Sequence, residues 1–275
     1  MITAHSGSEP PLSVSKEICR TLIKQQKGRI AFAGRAGAGK STLANHLAGR
    51  DYFVLNHADP IKEEILEWLT ESVLTGYDPE SEETFNHFCG FIGLSPRRVE
   101  DDLWEMVGPV YASFIKLHVA AIKANWNLSP FLDLRAGEHI AAKVAFVDAH
   151  KEVFRSPMQI YSEMSKEIAA DPYYWVNRTI SRSSGEPICF NADTRFRDEI
   201  ECMKMCGWSM IYLDISDSTQ AKRRPEMTDE QKMHQSEWDI SALDCDFCID
   251  SNKSESSVLM QLSEYLTEKA VHYAR

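Results

Sequence analysis

The chain has 275 residues, 43 % apolar and 26 % charged, with a formal net charge of −11. This is a globular composition, and the length suits one large domain or a core domain with an insertion. No apolar run reaches the ~18 residues of a membrane span, and the acidic balance opposes broad non-specific binding to nucleic acid, which needs surplus cations.

Residues 1–13 are polar, contain Pro10-Pro11, and read as a disordered tail. They have no charged start followed by an apolar core, so they do not read as a secretory signal. Ser15 caps a short predicted helix ending near Lys24. The apolar run Arg29–Ala33 stops at Gly34 and reads as a buried strand. A glycine-rich loop follows, and Ser41–Gly49 continues as a helix with glycine near its end. Tyr52–Asn56 is a second strand. Asp59-Pro60 opens a helix over 61–74, a position that suits proline.

Residues 76–83 form an acidic loop, and 84–150 are a mostly helical, aromatic-rich block. Together, residues 76–150 read as a helical insertion. Met158–Ile180 is helical with a break at Asp171-Pro172. Three further strands follow: Pro187–Asn191, Trp208–Asp214 and Asp246–Asp250. A helix over 199–205 and a closing helix over 256–270 complete the pattern. Strands alternating with helices predict an α/β fold built on a parallel sheet of five strands.

Seven cysteines in a chain read as lacking an export signal point to a reducing, cytoplasmic setting. Cys202, Cys206, Cys245 and Cys248 invite a zinc reading. The last two lie three apart in a segment that looks like a strand, where they would face opposite ways, which favours buried, inert thiols.

Gly34-Arg-Ala-Gly-Ala-Gly-Lys40-Ser41 has the spacing G-x-x-x-x-G-K-[ST] between a strand and a helix. Each part has a task. Gly34, Gly37 and Gly39 let the backbone curl, so that the N–H groups of Ala36, Ala38 and their neighbours ring a phosphate. The helix that starts at Lys40 adds its positive end through Ser41 and Thr42. Lys40 reaches the β- and γ-phosphates, and the Ser41 hydroxyl ligates Mg²⁺. The pattern predicts ATP and Mg²⁺ as cofactors and a P-loop NTPase fold, a three-layer α/β domain whose five parallel strands lie in the order 2-3-1-4-5, with a helical insertion. No Asn/Thr-Lys-x-Asp base-reading motif occurs, which argues against a GTPase.

Three clusters fall where strands end, the usual ligand position in such sheets. They are His57–Lys62, Asp193–Glu199, and Arg223-Arg224 with His234–Glu237. Asp193 can hold Mg²⁺ through water, with a helix N-cap as its alternative role. Arg195 can clamp a phosphate, with an ion pair to Glu199 as the alternative.

Four stretches beyond the glycine loop carry a resemblance. They are Ala58–Leu66, Arg155–Gln159 running on to Asp171–Val176, Ala192–Glu199, and His234–Glu237 followed by Asp246–Asp250. In this order the chain resembles the bacteriophage deoxynucleoside monophosphate kinases, P-loop enzymes of the adenylate-kinase-like type. Most of 76–150 lies outside the match, and Ser162-Glu163-Met164 stand where the family tends to have a Gly-Thr-acid turn.

The resemblance implies transfer of the ATP γ-phosphoryl group to a deoxynucleoside monophosphate, in the host cytoplasm, by an enzyme that pairs as a homodimer. It implies catalytic roles for Lys40, Asp193, Arg195 and Arg155. It places Asp59, Lys62, Arg155 and Arg195 at the acceptor, with Arg178 a further candidate. It implies a lid over 217–240, in which Arg223 and Arg224 close on the phosphates and His234 and Glu237 order the segment. One alternative substrate is a hydroxymethylated pyrimidine in phage DNA, the one case that calls for a nucleic-acid partner. The other alternative is a nucleotide-binding regulatory ATPase without an acceptor.

Overall fold

The computed structural model describes residue 18 and residues 28–49, 51–132, 140–233 and 235–273. The expected tail over 1–13, nearly all of the helix from Ser15, and His234 lie outside the described residues. The elements are β1 (Arg29–Ala33), α1 (Lys40–Ala48), β2 (Phe53–Val54), α2 (Ala58–Thr75), α3 (Glu82–Phe91), α4 (Trp104–Lys123), α5 (Ile140–Ala149) and α6 (Lys151–Ala169). They continue with α7 (Tyr174–Ser183), β3 (Cys189–Thr194), α8 (Arg197–Met205), β4 (Ser209–Asp214), α9 (Asp217–Arg223), α10 (Asp229–Lys232), β5 (Phe247–Asp250) and α11 (Glu255–Tyr273). Among the described residues no helix is long and apolar enough to cross a membrane.

The chain divides into two compact units, Met1–His57 with Val176–Arg275, and Ala58–Trp175. The first carries the sheet. Its five strands lie in the order β2-β3-β1-β4-β5, as expected, and every pairing is parallel. Ile30, Ala31, Phe32 and Ala33 are fully buried. A central parallel strand is covered on both faces, so β1 shows a continuous apolar run and no alternation. The core behind it joins Phe32 and Phe190 to Leu43, Leu47, Leu259 and Leu262. Each fully buried side chain of this size contributes roughly 1.5–3 kcal/mol.

Two strands differ from expectation. β2 shrinks to two residues, because it is an edge strand with β3 as its neighbour and Phe53 half-exposed. β3 runs on to Thr194, three residues past Asn191. There the pairing shifts between Ala31↔Asn191 and Ala33↔Thr194, so β3 carries one extra residue. A bulge of this kind bends a strand and re-aims its side chains.

The second unit is helical and wider than the block expected over 76–150, since it takes in α2 and α6. Pro60 sits in the first turn of α2, and the Ser81 side chain caps α3 by accepting from Thr84 N. The core is aromatic. Trp68 lies 4.9 Å from Phe114 and 6.1 Å from Phe88, ring centre to ring centre, and all three are buried. The edge-on arrangement of both pairs suits the quadrupoles of such rings.

Candidate functional site

Because all five strands run in parallel, their carboxyl ends share one edge of the sheet. The loops that leave β1, β3, β4 and β5 therefore start side by side, and long-range hydrogen bonds tie them together.

Gly34–Gly39 joins β1 to α1. Gly34, Gly37 and Gly39 have φ of +130°, +78° and +89°, values that disfavour any residue with a Cβ. At Gly34 a Cβ would also stand 2.6 Å from Leu213 O on β4, so glycine is required there twice over. The Lys40 side chain folds back into the loop and donates to Gly34 O and to Arg35 O, the latter at 3.0 Å. It is only 7 % exposed. Burial, then the nearby Arg195 guanidinium, push its ammonium down to about 8, while Glu237 and Asp193 pull the other way. Ser41 and Thr42 are exposed on the first turn of α1.

Asp193 lies in the bulge of β3. Its Oδ1 accepts from His57 N at 2.9 Å and from Asn191 Nδ2 at 3.0 Å. Asn191 is fully buried and uses both ends of its amide. Nδ2 also donates to Leu55 O, and Oδ1 accepts from the N–H groups of Asp193 and Thr194 and from the Thr194 hydroxyl. The His57 ring lies buried among Thr179, Asn191 and Thr194. Asp193 does not cap a helix; Phe196 holds that place on α8.

The Arg195 guanidinium points to Glu237, 4.0 Å from its Oε1, and not to Glu199. Glu199 is engaged elsewhere, since its carboxylate accepts from Arg195 N at 2.7 Å and Phe196 N at 3.1 Å. Burial raises its pKa, against the pull of His57 and these two donors. Glu237 is buried, and its Oε2 accepts from Ala36 N in the glycine loop at 2.8 Å. Arg223 donates to Gly37 O at 3.1 Å and to Ser251 O at 2.8 Å, past the end of β5. Arg224 pairs with Glu226.

Arg195, Arg223 and Glu237 thus gather on the glycine loop around Lys40 in the first unit, and Asp193 lies near enough to act on the Lys40 charge. Asp59, Lys62 and Arg155 belong to the second. There the Lys62 ammonium bridges Asp59 at 3.4 Å and Asp148 at 3.0 Å. Burial alone lowers its pKa, but the two carboxylates outweigh that and raise it. Arg155 is exposed on α6, and Arg178 is half-buried on α7.

Four members of the network were not singled out from sequence: Gln220, Ser251, Asn191 and Arg35. Ser251 had a usable signal, its place just after an apolar strand. Gln220 and Arg35 had none. The expectation of buried cysteines fails for two of them. Cys206 and Cys248 are exposed, one just past the end of α8 and the other on the edge strand β5. Among the described residues no group of His, Cys, Asp and Glu is gathered in a way that would hold a metal.

The fold and site together define a parallel α/β protein with a glycine-lined loop after its first strand. The chain matches no protein-family model and no curated protein.

Proposed function

We propose that this protein is an ATP-dependent phosphotransferase of the P-loop type that converts a deoxynucleoside monophosphate to its diphosphate. One observation carries the reading. The curled glycine loop has a buried lysine folded into it, and an anion, the Glu237 carboxylate, already rests on the N–H of Ala36 with Arg195 beside it. The loop therefore fits a phosphate by the chemistry of its donors.

Mg²⁺ suits the hard oxygens of Ser41 and Asp193, and when bound it would neutralise charge on the β- and γ-phosphates. The protein's own part is positioning and charge. Lys40 and Arg195 bring cations to the transferring group, and the loop N–H groups orient the triphosphate. The buried Asn191–Thr194–His57 cluster keeps Asp193 in one orientation. Arg223 braces the loop from outside by its bond to Gly37 O. On this proposal Lys62 and Arg155 serve the acceptor phosphate, and Asp59 orients the Lys62 ammonium. Little acid–base work is asked of any residue, since the acceptor is itself an anion.

The test is an acceptor screen with ATP and Mg²⁺. ADP should form with one or more deoxynucleoside monophosphates, and Lys40→Ala should lower turnover by about 10²–10³-fold. Turnover unchanged by the substitution would reject the loop assignment. Turnover only with hydroxymethyluracil-containing DNA would move the acceptor from a free nucleotide to a polynucleotide. Hydrolysis without a phosphorylated product would mark a regulatory ATPase.

A further inference from the structure

The Glu237 carboxylate does more than order a surface segment. A carboxylate this deeply buried is costly unless it is paired. Here Oε2 takes the Ala36 N–H at 2.8 Å, and Oε1 faces Arg195 at 4.0 Å. Gln220 binds the carboxylate and the loop at once. Its Nε2 lies 3.1 Å from Glu237 Oε2 and 3.0 Å from Ala36 O. The next residue repeats the attachment by different chemistry. The Trp238 ring lies over the Arg35 guanidinium, 5.2 Å from its carbon, and Arg35 is itself held by Asp217 and Ile215 O. Two consecutive side chains, one anionic and one aromatic, therefore clamp the Gln235–Glu237 turn and Trp238 onto two consecutive residues of the glycine loop.

We propose that Glu237 is a tethered competitor of the nucleotide: its carboxylate stands in for a phosphate, and ATP enters by displacing the Gln235–Trp238 segment. The inference rests on the nucleotide-binding reading above. A loop N–H that faces a carboxylate cannot face a phosphate at the same time. Removing the carboxylate leaves the Ala36 N–H and the Arg195 guanidinium to the ligand. Displacement also lifts Trp238 off Arg35, which changes the surroundings of its indole.

The experiment measures MgATP affinity by calorimetry for the wild type, Glu237→Gln, Glu237→Ala and Lys40→Ala, together with tryptophan emission for the wild type and Trp238→Phe. Both Glu237 variants should bind ATP about tenfold more tightly, the scale of one charge-assisted hydrogen bond. ATP should change the wild-type emission, and Trp238→Phe should lose most of that change although five other tryptophans remain of the six. Equal or weaker affinity in the Glu237 variants overturns the competitor role while leaving the nucleotide site intact. Wild-type emission unaltered at saturating ATP overturns it too, and that reading needs no variant to fold. If ATP binds neither the wild type nor any variant, the nucleotide reading itself falls and takes the competitor with it.

Discussion

The two units differ in how completely they pair their buried polar groups, although the helical unit also holds pairs such as Ser72 with His118 and Lys143 with Glu67. In the sheet unit, Asn191, Thr194, Gln220, Glu237 and Ser251 are buried and hydrogen-bonded where strands end. Trp208 Nε1 is the exception there, a buried donor without a partner among the described residues. In the helical unit, Trp68 Nε1, Thr70 Oγ1, His87 Nε2 and His118 Nε2 are buried without partners among the described residues, within or beside the aromatic cluster. The sheet unit holds its shape at one edge through a polar network that specifies particular atoms. The helical unit leaves four buried polar atoms unpaired around a core dominated by ring packing. An unsatisfied buried group costs about 1–3 kcal/mol, which burial of several large aromatic rings outweighs.

This contrast can be broken by three measurements. The largest effect belongs to Trp68→Ala. Truncation of the ring at the centre of the cluster should cost about 3–5 kcal/mol in denaturant unfolding. A loss below about 1 kcal/mol would show that packing does not carry the helical unit.

Asn191→Ala should cost about 1–3 kcal/mol, because Leu55 O and the N–H groups of Asp193 and Thr194 lose a buried partner. If the protein is the proposed phosphotransferase, the substitution should also weaken activation by Mg²⁺ more than it weakens ATP binding, since Asp193 loses one of the donors to its Oδ1. Equal losses in both would make Asn191 a general structural residue.

The smallest effect is a pH dependence from His118. This ring is fully buried, and desolvation lowers its pKa below the usual 6.5. The folded chain therefore takes up its proton less readily than the unfolded chain. The contribution of a neutral His118 is complete above about pH 6.5 and is lost as pH falls below that value. The melting temperature should drop across that window, and His118→Asn should flatten the drop. An unchanged slope would assign the acid sensitivity to other groups.

Much of the sheet unit is legible in the amino-acid order. The run Ile30–Ala33, the eight residues Gly34–Ser41 and the apolar start of β3 each announce themselves by local pattern. Alternation of strands and helices gives the parallel sheet, and the order expected from the glycine-loop pattern is the one observed. The length of β3 does not follow, because its last residues are held by the Asn191 amide and by a bulge against β1. Neither has a signature in a short window. The exposure of Cys206 and Cys248 is hidden for a similar reason, since it depends on which strand lies at the edge and where α8 ends.

The sequence by itself determined the loop, because positive φ at three glycines and a lysine at fixed spacing are properties of neighbouring residues. Only the tertiary structure decided what rests on that loop. Glu237 stands 201 positions from Ala36, and Gln220 stands 184 away. Contacts over such separations exist only once parallel strands bring their ends to one edge of the sheet.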